Sequence, residues 1–209
     1  VTLSHQRFTD LLAAFQSPDP TPGGGSAAAL SGAVGASLLA MVAGLGKPRA
    51  QTNDDTARLA SARVRCAALS DWLAALMDRD SDAYDLVVAA FRSPKSTEPE
   101  KAARSLQIQE ALRAATEAPR DVMRACAEAI GQATVVAALG NSNASSDVRV
   151  GLELLGAGLR GARLNVEVNL ASMKDPAFIA EVRTEADRLA TEAESGHAAA
   201  LGALESAGH

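Results

Sequence analysis

The stretch Ser26–Gly46 reads SAAALSGAVGASLLAMVAGLG, twenty-one residues without a single charge. By length alone it qualifies to cross a bilayer. Its composition argues otherwise, because Gly and Ser interrupt it and large aliphatics gather only at Leu38, Leu39, Met41, Val42 and Leu45. No second span of that kind is read further along. Ala28, Gly32, Ala36 and Ala40 recur every four residues, which puts small side chains on one helix face and lets another backbone approach closely. The stretch is therefore read as the central, buried helix of a helical bundle.

Working outward, Asn53 to Phe91 reads as one long helix. Its apolar stripe runs Leu69, Leu73, Leu76, Ala83, Val87 and Ala90 at steps of three and four. Ser93-Pro94 stops it. Thr97-Glu98-Pro99-Glu100 restarts the chain with Thr at the N-cap, Glu three residues on and Pro in the first turn. The following helix runs through Ile108, Leu112, Ala115, Val122, Cys126 and Ile130, and ends at Gly140-Asn141. Pro119 should kink or divide it, because Pro has no N–H to offer the carbonyl of Ala115. Asp147 then falls in or near the first turn of a Gly-rich helix to about Met173. Asp175-Pro176 opens a last helix to about Ala207. The expectation is an all-α, multihelical bundle of about six long helices with Gly/Ala-rich packing, forming a single domain over residues 1–209.

Composition supports this. The chain of 209 residues holds 46 alanines and only 3% aromatics, a poor supply of the bulky and β-branched residues that strands prefer. A net charge of −5 provides no basic field for a polyanion, so nucleic acid is not an expected partner. Cys66 and Cys126 lie sixty residues apart and His5, His197 and His209 sit near the chain ends, so no metal site is expected. Both cysteines read as packing thiols in a reducing cytoplasm. The segment Val1–Phe15 lacks the apolar core of an export signal.

Three features carry possible chemistry. Pro20-Thr21-Pro22-Gly23-Gly24-Gly25-Ser26 opens a helix with bare N–H groups, which suits a carboxylate, carbonyl or phosphate, or equally a tight turn between touching helices. Asp80 lies on an apolar stripe. A desolvated carboxylate there is either a tuned acid or base, or one half of an ion pair with Arg104 or another arginine. Its neighbours Asp78, Asp82 and Asp85 read as a solvated face. Asn165 and Asn169 stand one helical turn apart, so two amides face one way, able to grip a heterocycle or to satisfy one another or a partner backbone. Lys47 and Arg149 are candidates for a ligand's carboxylate, or unpartnered surface cations.

Taken together, the Pro20–Ser26 stretch, Asp80-Ser81-Asp82-Ala83-Tyr84 with Pro94-Lys95, Arg104 with Ile108-Gln109-Glu110-Ala111, Gly140-Asn141, Ser146-Asp147, and Gly161-Ala162-Arg163-Leu164-Asn165-Val166-Glu167-Val168-Asn169 with Asp175 resemble the cyclodeaminase/cyclohydrolase family of tetrahydrofolate enzymes. The likeness runs in order over nearly the whole chain. It departs at Lys47–Asn53, which lacks an aromatic, at Tyr84, where Phe is usual, and at Arg149, where a small residue is typical.

The resemblance implies a helical homodimer binding a tetrahydrofolate near the subunit interface, with no cofactor beyond that substrate, no metal, no nucleic acid and no membrane. It implies Asp80 or Asp147 as acid/base or cation stabiliser, with substrate contacts from Gly23, Gly24, Gly25, Ser26, Lys47, Arg104, Asn141, Asn165 and Asn169. Without a fused transferase in this sequence, methenyltetrahydrofolate cyclohydrolase is favoured over formiminotetrahydrofolate cyclodeaminase. A non-catalytic folate-binding or scaffold protein is the reading from another class.

Overall fold

The computed structural model describes residues 2–206. Among them are six α-helices and no strand: α1 Phe8–Gln16, α2 Gly24–Gly44, α3 Asn53–Arg92, α4 Glu98–Leu139, α5 Ser145–Ala171 and α6 Pro176–Ser206, with 3-10 turns at Leu3–His5 and Ser142–Ala144. Five are long and α1 is short. His209 and the expected end of the last helix at Ala207 lie outside the described residues.

The start signals work as their chemistry requires. Thr97 accepts the N–H of Glu100 while Glu100 accepts that of Thr97, closing a capping box at α4. Asp175 accepts the N–H groups of Ala177 and Phe178 at 3.0 and 3.1 Å ahead of Pro176. Pro119 lies inside α4, which nevertheless runs undivided for 42 residues. A division there was one expected outcome; its absence has a local cause on α5, taken up below.

α2 is the centre of the bundle, packed against α3, α4 and α5. The expected small-residue face does bring backbones together. A β-carbon on Gly158 of α5 would stand 2.8 Å from the Ala28 carbonyl oxygen, and one on Gly35 would stand 2.7 Å from that of Gly151. Side chains at these positions would hold the helices apart, so glycine sets the α2–α5 spacing. The pairs Gly35/Gly151 and Ala28/Gly158 also show that the two helices run antiparallel. Cys126 lies against Gly32, and both cysteines are free, buried thiols whose acidity burial suppresses, raising each to about 12.

Two helices, α2 and α4, are long and apolar enough to cross a membrane by length and composition, so α2 is not alone in this. Half of that apolar stretch in each is buried inside the bundle. Along one stripe α2 exposes Ala27, Val34 and Met41, and in part Leu30 and Leu38, with Leu45 just past its end and no charge at all.

Candidate active site

The sequence reading placed the start of the central helix at Ser26. The structure starts it at Gly24, with Gly23 as the N-cap residue. Gly24, Gly25 and Ser26 therefore form the first turn of α2, where main-chain N–H groups have no partner within the helix. Of these, the main-chain N–H of Ser26 bonds to Asp80 of α3. A β-carbon on Gly25 would collide with the Asp80 carboxylate. The hydroxyl of Ser26 donates to Asp80 Oδ2 at 3.1 Å. The triglycine turn thus receives an anion, but it is a carboxylate of the same chain.

Among the described residues no arginine pairs with Asp80, which removes the ion pair with Arg104 as an account of it. Arg104 instead donates to the carbonyl of Phe91 at 2.9 and 3.2 Å and lies over the Phe91 ring, closing the last turn of α3. Burial pushes the Asp80 carboxyl above the ordinary Asp range, while the hydroxyl and main-chain N–H of Ser26 pull it back. Asp78, expected on a solvated face, accepts from the N–H of Leu3 and the hydroxyl of Ser4 and ties the N-terminal turn to α3.

A cleft of about 370 Å³ opens in front of this carboxylate. Gly23, Gly24, Gly25, Asp80, Asn165 and Asn169 supply its polar wall, and Tyr84, Val87, Phe91, Leu112 and Val168 its apolar one. The volume and the mixture suit a small organic ligand. Each amide donates one N–H to a helix carbonyl, Asn165 to that of Gly161 at 2.9 Å and Asn169 to that of Ala115 at 3.0 Å. A carbonyl oxygen only accepts, so each amide must place its nitrogen there, which leaves its second N–H and its oxygen for other partners. With Asp80, the cleft is lined by one carboxylate and two amides. Sequence reasoning passed over Val168 and Phe91 as cleft residues; their only signal is exposure, 71% and 46%, which a sequence does not display.

Four expected contacts lie elsewhere, and Ser26 is a fifth departure. Ser26 is fully buried and its hydroxyl faces Asp80, so it does not line the cleft. Arg104 is one step behind, touching Phe91. Asn141 joins two loops, donating to the Gly46 carbonyl at 2.6 Å and accepting the N–H of Asn143 at 2.9 Å. Lys47, in the left-handed conformation at φ 58°, is exposed beside that junction. Asp147 stands in the first turn of α5, separated from Asn165 by about 27 Å of helix. Lys47, Asn141 and Asp147 thus share the opposite end of the α2–α5 pair from Asp80. Among the described residues no three His, Cys, Asp or Glu side chains converge as metal ligands.

A family model described as formiminotransferase-cyclodeaminase matches residues 7–188. The chain is 42% identical over 188 residues to a methenyltetrahydrofolate cyclohydrolase of Methylorubrum extorquens, covering 90% of this chain and 89% of that protein. It is 32% identical over 204 residues to the formimidoyltransferase-cyclodeaminase of Sus scrofa, covering 98% of this chain but 38% of that longer protein. A crystal structure of formiminotetrahydrofolate cyclodeaminase from Thermotoga maritima superimposes with a TM-score of 0.86 over 99% of this chain and 100% of the other, at 23% identity, and so shares the fold. With its helices in that arrangement and the match spanning the cleft from Gly23 to Asn169, the chain belongs to the formiminotransferase-cyclodeaminase family.

Proposed function

We propose that this chain is a methenyltetrahydrofolate cyclohydrolase, in which water opens the 5,10-methenyl bridge to give 10-formyltetrahydrofolate. The observation that carries the reading is the half-buried Asp80 carboxylate, unpaired with any cation, at the head of a cleft whose polar wall is otherwise uncharged main chain and amides. The extent of likeness to the Methylorubrum extorquens enzyme favours hydrolysis over deamination. The methenyl bridge is a cationic amidine, which an anion stabilises at close range. The donors and acceptors along a pterin edge match the amides of Asn165 and Asn169 that line the cleft.

In the reaction, water adds to the bridging carbon and gives one proton to Asp80. The C–N5 bond of the tetrahedral adduct then breaks as N5 takes a proton back from Asp80, and the remaining hydroxyl loses its proton to solvent as the formyl C=O forms. One proton is released overall. Asp80 serves as base and then acid, which a carboxyl with a pKa above the ordinary range does better near neutrality. The alternative is formiminotetrahydrofolate cyclodeamination, favoured by the several relatives bearing that name. There N10 attacks the formimino carbon and ammonia leaves, with the same carboxylate handling the proton.

The uncharged face of α2 fits a second copy of the chain, making a homodimer. Antiparallel pairing across a two-fold axis brings the Lys47 and Asp147 end of one copy beside the Gly23–Gly25 cleft of the other. That supplies a cation for the glutamate tail and gives Asp147 a place near the substrate.

The test is spectroscopic. Enzyme-dependent loss of methenyltetrahydrofolate absorbance above the buffer rate supports hydrolysis, with Asp80→Asn reducing kcat at least about 100-fold. Absorbance gained from 5-formiminotetrahydrofolate with release of ammonia, and no hydrolysis, replaces it with cyclodeamination. Folate binding without either turnover leaves a non-catalytic binding protein.

A further inference from the structure

Ser26 is fully buried, and its hydroxyl carries one proton among three oxygens: the Met77 carbonyl at 3.0 Å, Asp80 Oδ2 at 3.1 Å and Ser81 Oγ at 3.3 Å. The Met77 carbonyl and an ionised Asp80 can only accept, so the hydroxyl serves one of them at a time. When Asp80 is ionised, Ser26 donates to it. When Asp80 is protonated, its own O–H can donate to Ser26 Oγ while the Ser26 proton turns to Met77. The two arrangements differ by rotation of one hydroxyl and require no movement of a heavy atom. We infer that Ser26 is a positioning residue that keeps the Asp80 carboxyl hydrogen-bonded in both protonation states, so that Asp80 takes up and returns a proton without leaving its place.

The surroundings leave this role to Ser26. No ionisable residue occurs in α2, and the cleft-lining residues of α4 and α5 are Leu112, Ala115, Asn165, Val168, Asn169 and the adjoining Ser172. On α3 itself, Asp78 is bonded to the N-terminal turn, Asp82 is exposed and lines a neighbouring hollow, and Tyr84 is the other titratable group in the cleft. Gly25 completes the device, because any side chain there displaces the carboxyl from the serine. A buried hydroxyl with no route to the cleft is otherwise hard to account for as a substrate contact.

The inference rests on Asp80 as the proton carrier proposed above, and its test has a readout independent of turnover. In full-length protein carrying 13C-labelled Asp, with the Asp80 signal assigned by its loss in Asp80→Asn, the carboxyl is titrated in wild type, Ser26→Ala and Ser26→Thr. Ser26→Ala should move the Asp80 midpoint upward by about one pH unit, since the bond lost from the ionised carboxylate is charge-assisted and stronger than the one lost from the neutral acid. The acid limb of kcat/KM for methenyltetrahydrofolate hydrolysis should move with it. Ser26→Thr, which restores the hydroxyl, should return both. An Asp80 midpoint unchanged in Ser26→Ala overturns the inference even if hydrolysis depends on Asp80. A shifted midpoint with an unshifted acid limb also overturns it. A shifted midpoint in a protein that turns over neither one-carbon substrate sustains the hydrogen-bond device and removes the proposed reaction instead.

Discussion

Asn169 on α5 donates its side-chain N–H to the main-chain carbonyl of Ala115 on α4, and that carbonyl is the one Pro119 leaves without a donor. A proline that should interrupt α4 is accommodated because a neighbouring helix supplies the missing hydrogen. The same amide lines the cleft. Fold and site are joined at one amide.

Replacement of Asn169 by Leu should leave the Ala115 carbonyl without its donor and cost about 1–2 kcal/mol. Pro119→Ala in that background restores a main-chain N–H and should recover most of the loss. Urea denaturation of the two single variants and the double variant checks this as a cycle. Activity should not recover in the double variant, because the amide lining the cleft is still missing. Equal destabilisation in both Asn169→Leu backgrounds would exclude the link.

Gly25 and Gly131 provide a matched pair. Both sit in helices, but an added β-carbon at Gly25 collides with Asp80, whereas at Gly131 it meets nothing within 4 Å. Gly25→Ala should lose activity and about 1–3 kcal/mol of stability. Gly131→Ala should gain roughly 0.5–1 kcal/mol through helix propensity and remain fully active. Thermal unfolding and initial rates on both variants decide the matter.

Asp80→Asn should separate function from stability. Because the folded protein raises the Asp80 pKa, the stability contributed by this group is greatest at acid pH and falls as pH rises through the folded value. Asn carries no charge to desolvate and its oxygen can still accept from Ser26. The variant should be inactive yet at least as stable as wild type at pH 8, as read from denaturant midpoints. A strongly destabilised variant would mean that the ionised carboxylate chiefly caps α2.

How much of this was legible in the sequence follows from the range of the forces involved. Capping boxes, the Asp175-Pro176 start and the long apolar stripes are set by residues within a few positions of each other, and these elements appear where their spacing puts them. The convergence of Gly23–Gly25, Asp80, Asn165 and Asn169 rests on helix packing over more than a hundred residues, and it became legible through resemblance rather than spacing. Position within a helix misled where direction mattered. Ser26 was read as a ligand contact because it follows three glycines, but the third residue of α2 points inward, to Asp80. Asn141 and Asp147, which the resemblance joins to the site, stand within one chain at the far end of the antiparallel α2–α5 pair.

Hydrogen bonds from Arg124 and, further, Arg120 hold the Glu185 carboxyl down to about 2 against the cost of its burial. A carboxylate with a lowered folded pKa stabilises fully above its unfolded value and loses that contribution as pH falls toward the folded one. Stability should therefore drop between about pH 4.5 and pH 2. The half-exposed Arg124 weakens the effect through solvent screening, so Glu185→Gln should cost about 2 kcal/mol at pH 7. Its unfolding midpoint should also vary less across that acid window than that of wild type.

The uncharged α2 face makes a prediction about assembly that can be read without substrate. Val34 and Met41 lie on that stripe with exposures of 44% and 40%, and Leu164 of the adjoining α5 is 69% exposed. An isologous interface repeats each of these residues across a two-fold axis, so one substitution changes two contacts at once. Met41→Glu buries an unpaired carboxylate at two places in a desolvated interface, a far larger penalty than one exposed charge in a monomer. Sedimentation equilibrium should give a dimer for wild type and a monomer for Met41→Glu, with circular dichroism unchanged because the position lies outside the core. If Lys47 and Asp147 of the partner subunit complete the cleft, the monomeric variant should also show a raised KM for the folate. A wild-type chain that is monomeric at micromolar concentration and still turns over substrate would remove both the dimer and the shared cleft.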